Sequence, residues 1–365
     1  MKMRQFYCAG GAVAVLATAL FLAGCRSPSF PTALQRYEFK SPHMGTLFSL
    51  TLFAPNRATA TNAAAAAFER IAALERAMTD YDPDSELMRL CQQPVGVPVR
   101  VSNDLFDVLA KAQQVAQLSD GAFDATIGPY VRLWRRARRT QALPSAELLA
   151  AAAEPVGYRK LRLDARNKTV TLTVPKMQLD LGGIAKGYAA DNALRVMKSK
   201  GITRALVAAS GDIAVSDPPP GKRGWRIGIG AADAPGTNLA ETILLRNAAI
   251  STSGDTEQFV EINGKRYSHI VNPKTRIGLT ESIQVSIVGK NAAATDSFAT
   301  AVSVLGVKRG LALVKSQPDM AALILRRTNE QNEVFTSRSF GRIPRALDSA
   351  AGTEVQSSDS QAKVR

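Results

Sequence analysis

Histidine and cysteine are nearly missing: 365 residues contain two histidines, His43 and His269, and three cysteines, Cys8, Cys25 and Cys91. Any imidazole proton shuttle must therefore use His43 or His269. Familiar nucleotide signatures are missing as well. No Gly-Lys-Ser or Gly-Lys-Thr occurs, and Gly228-Ile229-Gly230 opens a dinucleotide fingerprint that meets Asp233 where its third glycine belongs. A nucleotide, if bound, is held in another way. Acidic residues are the minority, 31 against 46 Lys and Arg, for a formal net charge of +15. Aromatic residues make up 6% and do not interleave with the basic clusters at Arg132, Arg135, Arg136, Arg138, Arg139 and at Arg326, Arg327. A base-stacking platform needs that interleaving, so no nucleic-acid partner is expected. A solvated basic face, or attraction to anionic lipid or an acidic partner, fits the charge better.

Long apolar runs are absent except near the start. Lys2 and Arg4 precede an apolar stretch from Ala12 to Ala23, followed by Gly24 and Cys25. A basic head, a short apolar segment and small residues are the anatomy of a secretory signal, and the stretch is too short to span a bilayer comfortably. Leu22-Ala23-Gly24-Cys25 resembles the lipobox of bacterial lipoproteins, which implies acylation of Cys25 and a protein anchored in the cell envelope, facing the periplasm. The plainer reading is an ordinary signal with an incidental cysteine. With Cys25 lipidated, Cys91 lacks an intrachain partner, which leaves neither a disulfide framework nor a thiolate metal site. The expected organisation is a signal peptide over 1–24, a lipidated cysteine and tether over 25–36, one enzyme domain over 37–343, and a polar tail over 344–365.

What is present supports a sizeable core, with 45% hydrophobic and 21% charged residues. Alternation of Phe48, Leu50 and Leu52 with Ser49 and Thr51 predicts a strand across 37–53. Helical spacing predicts helices over 59–79, 103–118, 184–200 and 292–305, the last two closed by Gly201 and Gly306. Strands are expected at 205–208, 225–229, 283–288 and 321–325, with hairpins about 165–167 and about Asn263-Gly264. Strands and helices mix without regular βαβ alternation and without an internal repeat, so the fold class is α+β.

Three constellations can carry chemistry. Asp180-Leu181-Gly182-Gly183-Ile184-Ala185-Lys186-Gly187-Tyr188 ends a strand, lets the backbone approach closely and opens a helix. Free N–H groups at a helix start, with Lys186 in the first turn, favour phosphate; a tight turn with a solvated lysine is the alternative. Asp296 and Thr300 lie four apart, so on a helix they share a face and can offer two oxygens to one hard cation, unless Asp296 simply caps its helix. His269 follows a hairpin strand, where a lone histidine is more often structural. Gly121-Ala122-Phe123-Asp124 and His43-Met44-Gly45-Thr46 read as turn chemistry.

Taken in order, these segments resemble the ApbE family of FAD:protein FMN transferases. The resemblance runs through Met44-Gly45-Thr46, Thr79-Asp80-Tyr81 with Ser85-Glu86-Leu87, and Gly121 to Asp124 with Gly128-Pro129. It continues through Asp180 to Tyr188, Ser253-Gly254-Asp255, Arg266 to Ile270 and Thr295 to Thr300. It implies a single T-fold-related domain of mixed sheets packed with helices. It implies FAD in a cleft touched by Met44, Tyr81, Ala122, Phe123, Asp124, Asp180, Lys186 and Ile270. It implies Mg²⁺ held by Asp296, Thr300 and the main-chain oxygen of Gly183, where relatives often have Ala. The implied reaction moves FMN from FAD to a threonine hydroxyl of a target protein, such as a subunit of a membrane redox complex, with AMP leaving. Among the residues carried over, His269 is the candidate for deprotonating the acceptor, with Asp255 as the alternative. Hydrolysis of FAD by the same site, or flavin binding without catalysis, are the competing readings. Asn272-Pro273-Lys274-Thr275-Arg276 departs from the family's Asp-Pro-x-Thr-Gly, and Ser210-Gly211-Asp212 from its Gly-Gly-Glu or Gly-Gly-Asp.

Overall fold

Asn56 starts the first helix by accepting the Thr59 N–H at 2.9 Å, and small residues let that helix press close to the rest of the fold. The computed structural model describes residues 33–230, 241–254, 259–328 and 332–346. Strands β1 (Gln35–His43) and β2 (Thr46–Ala54) precede α1 (Arg57–Met78), α2 (Glu86–Cys91), β3 (Val99–Arg100), α3 (Asn103–Leu118), α4 (Gly128–Thr140) and α5 (Ala146–Ala153). The hairpin β4 (Leu161–Asp164) and β5 (Thr169–Leu172) leads to α6 (Ala185–Ser199). Then come β6 (Ala205–Ala209), β7 (Asp212–Val215), β8 (Trp225–Ile229), β9 (Glu241–Leu245), β10 (Ala248–Gly254), β11 (Phe259–Ile262) and β12 (Lys265–Ser268). Strand β13 (Ser282–Gly289), α7 (Ala292–Lys315), β14 (Ala321–Arg327) and β15 (Asn332–Thr336) complete the order.

Eight strands form one antiparallel sheet in the order β1-β2-β6-β7-β10-β13-β14-β15. Both faces of its middle are buried, and side chains alternate between two cores as the strand period demands. Val207, Ala249, Ile287 and Ala322 enter the core beneath α1, α3, α6 and α7. Their neighbours Leu206, Ile250, Val288 and Leu323 enter a second core capped by Trp225, Ile227 and Ile243 of the β8–β9 hairpin. A third cluster joins Tyr130, Trp134 and Ala137 of α4 to Val260, Ile262 and Tyr267 of the β11–β12 hairpin.

The α+β expectation holds, and the Asn263-Gly264 turn has φ of 54° and 69°, both positive as a two-residue hairpin requires. Other expectations need correction. The stretch 37–53 is a hairpin, not one strand, because Met44 and Gly45 both take positive φ and reverse the chain. The expected break at Gly306 is there, at φ 72°, and a further helical stretch, counted here within α7, follows it to Lys315. Order also reaches beyond 37–343. Strand β1 starts at Gln35, and Pro344, Arg345 and Ala346 pair with β9. The signal segment, Cys25, Asp255 and positions 347–365 lie outside the described residues. By length and composition α7 is apolar enough to cross a bilayer, yet it packs on α6, β10 and β13 inside the domain.

Candidate active site

Helices α6 and α7 begin against each other and cap each other. Asp191 of α6 accepts the Ala292 and Ala293 N–H groups of α7 at 2.8 and 3.0 Å. In return Asp296 of α7 accepts the Gly187 N–H in the first turn of α6 at 3.1 Å. Gly187 makes this approach possible, since a Cβ there would stand 2.1 Å from the Ala292 carbonyl oxygen. The cap of α7 itself is Asn291, which accepts from the Ala294 N–H at 3.0 Å. Asp296 is thus released from capping its own helix and turned across to α6.

Three charges meet there. Lys186 Nζ lies 2.9 Å from Asp212 Oδ2 and 3.8 Å from Asp296 Oδ2. Both carboxylates are buried, each residue only 3% exposed. Burial would strip Lys186 of its proton, but Asp212 and then Asp296 outweigh it and hold the ammonium charged. Burial and the neighbouring Asp212 push Asp296 up to about 7, against the pull of Lys186 and the Gly187 N–H. Two acids share one cation, so the pocket turns negative as Asp296 ionises above about pH 7.

Gly183 and Thr300 adjoin this cluster. A Cβ on Gly183 would stand 3.0 Å from Thr300 Oγ1 and 3.2 Å from the Phe123 ring, so glycine leaves the hydroxyl room that alanine would narrow. Asp296 and Thr300 lie four apart on α7 and Gly183 adjoins Thr300; carboxylate, hydroxyl and main-chain carbonyl are the oxygen donor types a hard divalent cation takes. Among the described residues no group of three or more His, Cys, Asp or Glu could hold a metal, so a cation here relies on hydroxyl and main-chain oxygen. The residues fit Mg²⁺ in donor type and in sign of charge.

The acid cluster sets a pH expectation. An ordinary aspartate releases its proton near 3.8, and Asp296 does so at about 7 in the fold. Between those values the native state binds more protons than the unfolded one, so stability falls as pH rises through the window. Asp124, Asp180 and Asp191, each raised first by burial, push the same way. The metal-free protein should melt lower at about pH 8 than at about pH 5, and Asp296→Asn should flatten part of that fall. Scanning calorimetry across this range checks it; a melting temperature that climbs from pH 5 to 8 contradicts it.

A second charged group lies along the turn before α6. Asp180 accepts the Gly182 N–H through Oδ1 at 2.8 Å, while its Oδ2 meets Arg135 Nη2 at 3.2 Å. Arg135, on α4, also donates to Asp80 and sits with its guanidinium carbon 4.3 Å from the centroid of the Tyr81 ring. Tyr81 is otherwise 76% exposed.

The remaining predicted residues enter from other elements. Ala122 and Phe123 are buried in a loop ordered by Asp124. That carboxylate accepts the Thr126 N–H and hydroxyl at 2.8 and 2.7 Å and the Tyr158 N–H at 2.8 Å, so both its oxygens serve the loop. Met44 occupies the β1–β2 turn and donates its N–H to Glu75 Oε1 at 2.6 Å. Ile270 is buried, and His269 beside it is exposed just past β12. His43 is engaged on both ring nitrogens, by Glu75 at 3.2 Å and Ser41 at 3.1 Å, and stacks on Phe68. Of the two histidines, His269 is the one turned to solvent.

Asn272–Arg276 forms a turn. Asn272 Oδ1 accepts the Lys274 and Thr275 N–H groups, and Arg276 takes the left-handed φ of 68° that suits the glycine of relatives. Trp134 Nε1 donates to the Arg276 carbonyl at 3.0 Å and helps hold it.

Asp212 and Arg135 belong to these clusters and were not among the sequence-predicted site residues. Asp212 carried a signal: an acid at the hinge of an otherwise apolar hairpin, Ala205–Val215, next to Gly211, whose Cβ would meet the Thr252 carbonyl at 2.5 Å. Arg135 looked like one more member of a solvated basic run.

A buried acid, Asp296, whose proton is held by burial and by the neighbouring Asp212, beside a lysine at a glycine-lined helix start, marks an enzyme's working centre in an α+β fold. The chain belongs to the ApbE family, whose sequence profile matches residues 44–324. A curated relative from Vibrio cholerae, "FAD:protein FMN transferase", is 29% identical over 329 residues, covering 89% of this chain and 96% of its own. Another of the same description from Chlamydia muridarum is 33% identical over 240 residues, covering 65% of this chain and 73% of its own. Among solved structures, "Flavin Transferase ApbE from Vibrio cholerae" superposes with a TM-score of 0.78 at 28% identity, over 85% of this chain and 99% of that one. The Thermotoga maritima ApbE protein gives 0.77 at 28% identity, over 86% and 100%.

Proposed function

We propose that this enzyme transfers FMN from FAD to a threonine hydroxyl of a target protein, with Mg²⁺ bound at Asp296, Thr300 and the Gly183 carbonyl, and releases AMP. The observation that supports it most is the two-acid pocket around Lys186 beside Gly183 and Thr300, at a helix start in an ApbE fold. In the reaction the threonine oxygen forms a bond to the FMN phosphorus, the bond from that phosphorus to the bridging oxygen breaks, and AMP leaves with that oxygen. Mg²⁺, when bound, neutralises charge on the pyrophosphate and on the departing phosphate. Lys186 adds a fixed positive charge, with Asp212 holding its ammonium in place. His269, exposed beside buried Ile270, takes the proton from the acceptor hydroxyl. Asp255, the alternative base, lies outside the described residues.

Location follows from the leader: Cys25 carries lipid, and the enzyme faces the periplasm from a membrane, where FMN-carrying subunits of membrane redox complexes are its targets. The test is incubation of the purified protein with FAD, Mg²⁺ and an acceptor domain bearing an exposed threonine, read by intact mass. Gain of one FMN by the acceptor, abolished by EDTA, is the expected result. Formation of FMN and AMP with several such acceptors unmodified would favour hydrolysis instead.

A further inference from the structure

We propose that Arg135 is a positioning residue for the dinucleotide: it holds the Tyr81 ring as a stacking face and ties that face to the Asp180–Gly183 turn. The inference rests on the function proposed above and deepens it, because it says how an aromatic-ring-bearing pyrophosphate is recognised.

Arg135 differs from the arginines around it. Arg132, Arg136 and Arg139 are exposed on α4. The Arg135 side chain is 24% exposed and turned inward, at the edge of the face that buries Tyr130, Trp134 and Ala137. It meets two carboxylates from separate loops, Asp80 after α1 and Asp180 before α6, whose side chains are 16% and 10% exposed. Without a cation between them these acids repel, and Asp80, after burial, is what raises Asp180 while Arg135 lowers it. A planar fork can serve both acids at once; a lysine's single point charge serves them less well.

The same guanidinium backs Tyr81. The loop backbone is fixed locally, by the Tyr81 N–H on Thr79 Oγ1 at 3.3 Å and by the Ser85 hydroxyl on the Thr79 carbonyl at 2.7 Å. The ring is 76% exposed and has little packing to choose its rotamer, so the guanidinium under one face is what orients it. Its other face is left for a flat ring to stack upon. From Arg135 the connection runs through Asp180 Oδ1 to the Gly182 N–H, and so to Gly183 beside Thr300. One side chain thereby fixes the ring-binding and the phosphate-facing parts of the cleft relative to each other.

The experiment is titration of the full-length chain with FAD, read by quenching of flavin fluorescence, for wild type, Arg135→Met, Arg135→Lys and Tyr81→Ala. Arg135→Met is expected to weaken FAD binding about tenfold or more and to lessen the quenching at saturation. In transfer assays it should raise KM far more than it lowers kcat, since the contact is made before and during reaction alike. Arg135→Lys should recover part of the affinity. Because Arg135→Met leaves two acids face to face and can disturb the loops, Arg135→Lys is also made in Tyr81→Ala, a change at an exposed residue. If Arg135 acts through Tyr81, the lysine change weakens binding in the wild-type background and has a smaller effect once the ring is gone. Equal losses in both backgrounds, or wild-type affinity and quenching in Arg135→Met, overturn the proposal alone. Wild-type protein that does not bind FAD at all overturns both the proposal and the function beneath it.

Discussion

Asp296→Asn is expected to yield a folded, more heat-resistant protein that has lost FMN transfer by a factor of about a hundred to a thousand or more. The two halves of that result have one origin. Asparagine keeps an oxygen for the Gly187 N–H, now 3.1 Å away, so the joint between α6 and α7 survives. It removes a charge that burial and Asp212 already disfavour, which is why the metal-free fold should gain stability above neutral pH. It also removes the one carboxylate in the oxygen set with Thr300 and Gly183, and a neutral amide binds a divalent cation weakly. Melting curves and transfer rates measured on one preparation check both. A variant that transfers FMN at the native rate would strip Asp296 of its role, and one that fails to fold would show that its charge supports the helix joint.

The largest effect on stability is expected from Gly187→Ala. An added Cβ would lie 2.1 Å from the Ala292 carbonyl oxygen, 2.5 Å from its carbon and 2.9 Å from the Ala293 nitrogen. All three are backbone atoms, so no side chain can swing aside; α6 and α7 must separate. Separation also lengthens the Asp191 bonds to the start of α7 and the Asp296 bond to Gly187. Overpacking combined with lost caps places the cost at roughly 3 kcal/mol or more. Gly228→Ala is the control, since a Cβ there meets nothing within 4 Å. Urea midpoints of the two variants should differ widely, and similar midpoints would refute the contact.

The parts of this fold legible in sequence were those whose stability is local and periodic. Helix α1 shows its stripe of Ala60, Ala63, Ala64, Ala67, Ile71 and Leu74, and α3 and α6 likewise announce themselves by spacing. Strands β3, β7, β9, β10 and β15 went unread; β7 is buried at all four positions and so shows no alternation, and β10 takes its place only between β7 and β13. Helix α4 hid behind its arginines: Tyr130, Trp134 and Ala137 make too thin an apolar stripe to stand out until the β11–β12 hairpin lies on it. The site divides along the same line. Helical spacing and a glycine turn singled out Asp296, Thr300 and Lys186 as candidates, each with a plain structural alternative, and the family resemblance chose between them. Asp212 and Arg135 reach their partners only through tertiary folding, across 84 positions of sequence from Asp212 to Asp296 and 55 from Asp80 to Arg135.

The reciprocal capping of α6 and α7 has a dynamic consequence. Each helix start is closed by an aspartate of the other, so neither can fray while its neighbour stays intact. Local opening at this end of the molecule is therefore shared, and any opening of either first turn disperses Lys186, Asp296 and the oxygens around Gly183 together. The two helix starts are therefore expected to open together as one cooperative unit.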